Sequence, residues 1–269
     1  MSASTVHLHY DVHDGDGPYL LLVHGILSSR AQWLPNLATL STVARPVVVE
    51  LFGHGRSPSP EEPEAYTPAH YVREFERIRE DLGAERWFVL GQSLGAALTL
   101  RYVLDHPERV IAHVFTNSNS ALADNEWVAR VRPGLEAQAL RLAVDGRRVF
   151  DDHPLNPARG KRLSPELRAA FEADVALLDP GGVAKTGLYI VLASPVRTRI
   201  GENCVPSLLV FGERETRFAE HAAFAEAHMP MLRVARLDGG HAVNIDAAQQ
   251  FNEAVVAFLR GTLVAGPDA

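Results

Sequence analysis

Ser93 stands in "GQSLG", flanked by Gly91 and Gly95. A serine hydroxyl is a poor nucleophile until a neighbouring histidine takes its proton. Acyl transfer needs that pair, an acid that orients the histidine, and donors for the developing oxyanion. Three other short polar elements invite the same reading: "HG" (His24, Gly25), "GERE" (Gly212 to Glu215) and "GGH" (Gly239 to His241). Each directly follows an apolar run of strand length. In "GQSLG" the glycines allow a turn too tight for side chains, which pushes Ser93 out of the sheet edge on strained backbone. A helix starts at the same point, so its free N–H groups and dipole face the site. Leu94 N–H then serves as one oxyanion donor, and Ile26 N–H, just past "HG", as the second. The competing reading of Ser93 is a plain helix N-cap.

Topology must bring these elements together. The runs "TVHLHYDV", "PYLLLVHG", "ARPVVVEL", "RWFVLG", "RVIAHVFTN", "SLLVFG" and "LRVARLDGG" predict strands. Helical stretches alternate with them; the one opening at Thr67–Pro68 has an N-cap followed by proline at the first helical position. Near-continuous apolar strands alternating with helices predict an α/β fold, a mostly parallel, doubly wound sheet covered on both faces. All four polar elements then lie along its carboxyl edge, where such folds bind ligands. Residues 120–199 break the rhythm with helical segments and no clear strand. They predict a helical cap over that edge, with residues 1–119 and 200–269 forming the core.

The set "HG", "GHGRS", "GQSLG", "GERE" and "GGH", in this order, resembles the α/β-hydrolase superfamily, and the resemblance runs from about Tyr19 to Leu259. It implies an α/β-hydrolase fold, a Ser93–His241 pair and the chain order nucleophile, acid, histidine. Family members that open epoxides or cleave carbon–halogen bonds carry Asp at the elbow, so Ser93 points instead to esters, lactones, thioesters or the carbon–carbon bonds of diketone-like substrates. The family's acid is usually Asp, and here Glu215 stands in its place. Other members take the acid after the strand that precedes the cap. Asn117 and Asn119 occupy that position without charge, and Glu126, slightly later, is the alternative acid; a first-turn glutamate favoured by the helix dipole is its structural reading. His24 is expected to support the oxyanion loop and His54 to shape the "GHGRS" loop. Leu27, Trp127 and Tyr189 are the candidate pocket residues.

Bulk properties narrow the rest. The 269 residues carry a formal charge of −7, which disfavours nucleic acid as a partner. Cys204 is the single cysteine, so no intrachain disulfide can form, and it reads as a small buried hydrophobe. The histidines show no H-E-x-x-H spacing, and neither metal nor cofactor is expected. No apolar run reaches membrane-span length, and no basic and apolar leader opens the chain; a cytoplasmic protein without membrane partners is expected. A homo-oligomer is compatible with the sequence. Residues 120–200 hold 12 Lys and Arg against 10 Asp and Glu, giving +2 there and −9 in the remainder. The first functional expectation is a serine hydrolase acting on a small, mostly apolar carbonyl substrate. Two alternatives stay open: a carbon–carbon bond hydrolase or lyase, and a non-catalytic ligand-binding protein on the same fold.

Overall fold

The computed structural model describes residues 6–160 and 163–265. Seven strands form one sheet: β1 (Tyr10–Val12), β2 (Tyr19–Val23), β3 (Arg45–Val49), β4 (Trp87–Gly91), β5 (Val110–Thr116), β6 (Ser207–Gly212) and β7 (Leu232–Leu237). Their spatial order is β1-β3-β2-β4-β5-β6-β7. Only β1 runs antiparallel, against β3. It is shorter than its apolar run suggested: pairing starts at Tyr10, and Thr5 lies outside the described residues. β4 and β6 are buried along their whole length, as strands covered on both faces must be. β7, at the sheet edge, is only half-buried.

Alternation along each strand sends side chains to two separate cores. Leu21, Val23, Val47, Val49 and Val89 pack on one face against Tyr71, Phe75, Ile78, Leu94 and Leu98. These come from α2 (Pro68–Asp81) and α3 (Leu94–Asp105), which follow α1 (Leu34–Leu40) in the chain. Leu20, Leu22, Val48, Phe88 and Leu90 pack on the other face with Leu40, Phe251, Val255 and Leu259. Each such side chain, fully buried, contributes roughly 2 kcal/mol of transfer free energy. α2 starts as its sequence predicts: Thr67 Oγ1 accepts His70 N–H at 3.3 Å, with Pro68 in the first turn.

No strand occurs among the described residues between β5 and β6. That insertion holds α4 (Asn125–Asp145), α5 (Arg148–Asp151), α6 (Pro165–Val175) and α7 (Pro180–Lys185), the last continuing into a π-helical turn at Thr186–Ile190. After β6 come α8 (Ala219–His228), α9 (Val243–Asp246) and α10 (Ala248–Ala265). Buried and half-buried polar contacts tie the insertion to the core. Asp174 of α6 accepts Ser29 Oγ–H at 2.8 Å, and Asp179 accepts Ser59 Oγ–H at 2.6 Å while capping α7 through Gly182 N–H at 2.7 Å. Gly53, at φ +74, packs so close to Gly182 that a Cβ on it would lie 2.7 Å from the Gly182 Cα. Cys204 is exposed, not buried as its residue type suggested, because it lies in the turn leading into β6. No single helix among the described residues is long and apolar enough to cross a membrane.

The chain passes from β2 to β3 on one side, then crosses to β4 on the other. The crevice at the carboxyl ends of β2 and β4 is therefore the topological switch point. "HG" ends β2 and "GQSLG" ends β4, and Gln92 N–H to Val23 O at 3.0 Å extends their pairing into the crevice.

Candidate active site

Ser93 sits at φ 53, ψ −115, a conformation that L-residues avoid. Two glycines allow it. A Cβ on Gly91 would lie 2.4 Å from Gly95 O, and one on Gly95 would lie 2.1 Å from Val23 O. The turn is thus clamped between its own helix and the end of β2. Ser93 precedes α3, yet its side chain makes no capping hydrogen bond. Its Oγ lies 2.8 Å from His241 Nε2 instead. That single contact separates an elbow serine from an N-cap.

His241 Nδ1 lies 2.8 Å from Glu215 Oε2. A carboxylate only accepts, so Nδ1 carries the hydrogen and Nε2 is left to accept from Ser93 Oγ–H. Glu215 is mostly buried while the His241 side chain is 38% exposed. Burial alone would raise the Glu215 pKa. Its bond and charge interaction with His241, together with Asn117 and Asn119, more than offset this and hold it below the usual glutamate value. Glu126, the alternative acid, is exposed in the first turn of α4. Asp124 is used as that helix's N-cap, accepting Trp127 N–H at 2.7 Å.

The loop after β2 is held by two side chains, Gln32 and the more distant His54, and by its own backbone. Gly25 N–H donates to Gln32 Oε1 at 3.2 Å, Leu27 N–H to His54 Nε2 at 3.2 Å, and Ser28 N–H to Gly25 O at 3.2 Å. Ile26 carries the remaining N–H of this turn. Leu94 supplies the first N–H of α3, one of those a helix leaves without an internal partner. His24 and His54 are both fully buried, with ring centroids 5.4 Å apart. Each accepts a backbone N–H on Nε2, His24 from Leu51 at 3.0 Å, so each is neutral and protonated on Nδ1. Burial pushes His24 down to about 4 and His54 to about 3. Neither is available for proton transfer near neutrality.

A cavity of about 280 Å³ opens above Ser93 and His241. Its floor is Gly25, Ile26, Gln92 and Ile245; its roof is the insertion's Pro154–Gly160 segment with Leu163 and Phe171. Leu27, Trp127 and Tyr189 do not line it. The Leu27 side chain packs under the insertion with Leu142, Phe150 and Leu178. Trp127 is half-exposed at the start of α4, and Tyr189 is exposed. The pocket residues come instead from "PLNPARG", a loop whose Pro and Gly content marks a turn but gives no sign of what it faces. A larger groove of about 670 Å³ opens where β4 to β7 begin, at the opposite edge, and its lining contains no histidine or carboxylate. Among the described residues no three His, Cys, Asp or Glu side chains converge as a metal site.

The sequence pattern of the α/β hydrolase fold matches residues 18–248. An uncharacterized carboxylesterase of Bacillus subtilis, nap, is 28% identical over 90% of this chain and 79% of its own length. A putative carbamate hydrolase of Variovorax paradoxus, RutD, is 29% identical over 94% of this chain and 96% of its own. The enol-lactonase of Burkholderia xenovorans superposes with a TM-score of 0.82 at 22% identity, covering 97% of this chain and 99% of that one. Sheet order, the elbow at the switch point and the family match over most of the chain agree: the protein belongs to the α/β hydrolase fold family.

Proposed function

We propose that the protein is a serine hydrolase of small carbonyl substrates, esters or lactones, working through an acyl-enzyme on Ser93. The observation that carries this reading is the unbroken relay of two 2.8 Å contacts from Ser93 Oγ through His241 to Glu215. His241 Nε2 takes the hydroxyl proton as Oγ attacks the carbonyl carbon. The oxyanion is held by Ile26 and Leu94 N–H groups, fixed before charge develops. Collapse of the intermediate expels the alcohol, which takes the proton back from His241. Water, deprotonated by the same nitrogen, then resolves the acyl-enzyme. Glu215 stays ionised and stabilises the imidazolium in both halves of the reaction.

The insertion acts as the cap, residues 120–199, and closes the site from above. The cavity of about 280 Å³ lies just under the range typical of drug-sized ligands. Short acyl groups or small lactone rings fit that size better than long chains. The carboxylesterase and carbamate-hydrolase names of the two relatives support carbonyl hydrolysis as the reaction class.

The test is Ser93→Ala assayed on p-nitrophenyl acetate, with fluorophosphonate labelling in parallel. The expected result is loss of at least about 10⁴-fold in kcat and loss of the label, with unchanged unfolding. Retained turnover in the variant would remove the proposal. Activity on a vinylogous diketone and none on any ester would move the reaction to carbon–carbon cleavage.

A further inference from the structure

Where related folds can carry the acid at the end of the strand before the cap, this chain places two amides. Asn117 Nδ2 donates to Glu215 Oε2 at 2.9 Å, the same oxygen that receives His241 Nδ1. Asn119 Nδ2 donates to the other oxygen, Oε1, at 3.1 Å. Asn117 is itself fixed: its Oδ1 accepts Gly212 N–H at 2.9 Å and its Nδ2 also reaches Gly212 O at 3.0 Å. Gly212 closes β6, the strand that carries Glu215 into the site. Among the described residues, Glu215 is the hydrogen-bond partner of the Asn119 side chain.

We propose that Asn117 and Asn119 are positioning residues that adapt a glutamate to the acid's place. Glutamate has one more rotatable bond than aspartate, so its carboxylate has more ways to miss His241 Nδ1. Two donors on different oxygens pin both ends of the carboxylate and fix its plane. Because the donors are neutral, they do this without cancelling the charge that the imidazolium requires. They also draw electron density from the carboxylate, which weakens its hold on the imidazolium proton. Asn117 locks the geometry to the β6 terminus, and Asn119 tunes the charge. Because Glu215 matters here only as the partner of His241, both roles presuppose the triad proposed above.

Asn119 gives the cleaner experiment, since Asn117 also holds a strand end. The kcat/KM–pH profile on p-nitrophenyl acetate is measured for the unmodified protein, Asn119→Ala, Asn119→Asp, Glu215→Gln and the Asn119→Ala/Glu215→Gln double variant. Asn119→Ala is expected to lower kcat/KM about tenfold, the worth of one hydrogen bond to a charged acceptor. It also moves the acidic limb up by about half a pH unit, because a carboxylate with one donor fewer holds the imidazolium proton more tightly. Asn119→Asp keeps the shape but adds charge, and moves the limb further in the same direction. In the Glu215→Gln background the alanine change has less than about a twofold effect, since no carboxylate remains to be tuned. A severe loss in Glu215→Gln with an unmoved limb in both Asn119 variants overturns the tuning role and leaves the triad standing. Full activity in Glu215→Gln overturns the triad itself, and the asparagine roles with it.

Discussion

The floor and the roof of the cavity are built on different terms. On the floor, the groups around Ser93 and His241 are held by specific side chains: Gln32 and His54 hold the turn after β2, Gln92 Nε2 donates to His241 O at 2.9 Å, and two asparagines hold Glu215. Beneath the His241 loop, Asn36, Asn244 and Asn252 form a buried amide network that ties α9 to α1 and α10. The roof loop is hydrogen-bonded as well, Asn156 Nδ2 to Phe150 O at 3.0 Å and Arg168 to Gly160 O at 2.8 Å, but within the insertion itself and with far more of its surface in solvent. α4 runs for 21 residues and buries only Leu142, while Leu140 and Val144 stand 70% and 83% exposed. Leu155, which faces the cavity, is itself half in solvent. A floor that must hold reacting atoms to a fraction of an ångström needs over-determined side chains. A roof that selects among substrates needs only a shape, and side chains there can change without disturbing the chemistry.

The strongest way to break this contrast is acid. His24, His54 and His113 are buried and neutral, held by burial at about 4, about 3 and about 3. In the unfolded chain they titrate near the ordinary value. Below about pH 6.5 the unfolded state therefore binds protons that the native state refuses, and stability falls as pH falls towards their native values. Within that window each pH unit removes about 1.4 kcal/mol per histidine. Urea unfolding at pH 8, 6.5 and 5 should give steadily lower midpoints, with His113→Asn flattening the slope. All three histidines are fully buried, His113 on β5 and His24 and His54 in the loops that follow β2 and β3, so the loss should appear as one cooperative transition of the core. Equal midpoints at pH 8 and pH 5 would show that these histidines take up protons alike in the native and unfolded states.

A smaller effect is expected where floor and roof join. Asp174 is 3% exposed and accepts from Ser29 Oγ, beside the turn that carries Ile26. Asp174→Ala leaves that hydroxyl without its acceptor and should cost about 1–3 kcal/mol in unfolding free energy. If roof and floor have separate tasks, KM rises and kcat holds within a few-fold. A fall in kcat beyond about tenfold in a folded variant would place the insertion inside the chemistry.

The same division explains what could be read from the sequence. Ser93, His241 and the "HG" turn were legible because each sits immediately after an apolar strand, and a parallel sheet sends all such ends to one edge. Glu215 was legible for the same reason, although it stands where an aspartate was expected. Asn117 and Asn119 were placed correctly at a strand end, but only as positions lacking a carboxylate. Their hydrogen bonds depend on side-chain direction, which strand-end placement does not give. The roof of the pocket is not legible: residue type points to Leu27, Trp127 and Tyr189, while the insertion's lining comes from Pro154–Gly160, Leu163 and Phe171. Helical periodicity tells which face of an isolated helix is apolar. It does not tell which loop of an insertion folds down over a distant strand end.

The smallest expected effect is also the sharpest on the roof. Phe171 is almost fully buried with Ala158 and Leu167, so truncating it would cost about 3–5 kcal/mol of folding and confuse pocket shape with stability. Leu155 avoids that difficulty because it is half-exposed and still lines the cavity. Leu155→Ala removes three carbons of roof and enlarges the space above Ser93. On a series of p-nitrophenyl esters from acetate to octanoate, the longer chains should gain several-fold in kcat/KM relative to acetate, the scale on which apolar pockets discriminate methylenes. The gain should appear in KM, and the rate of fluorophosphonate labelling at Ser93 should stay within about twofold, since no floor contact has changed. An unchanged chain-length ranking would mean that substrates do not reach Leu155. A labelling rate that fell with the ranking would mean that the roof presses on the elbow, and the two layers would have to be treated as one device.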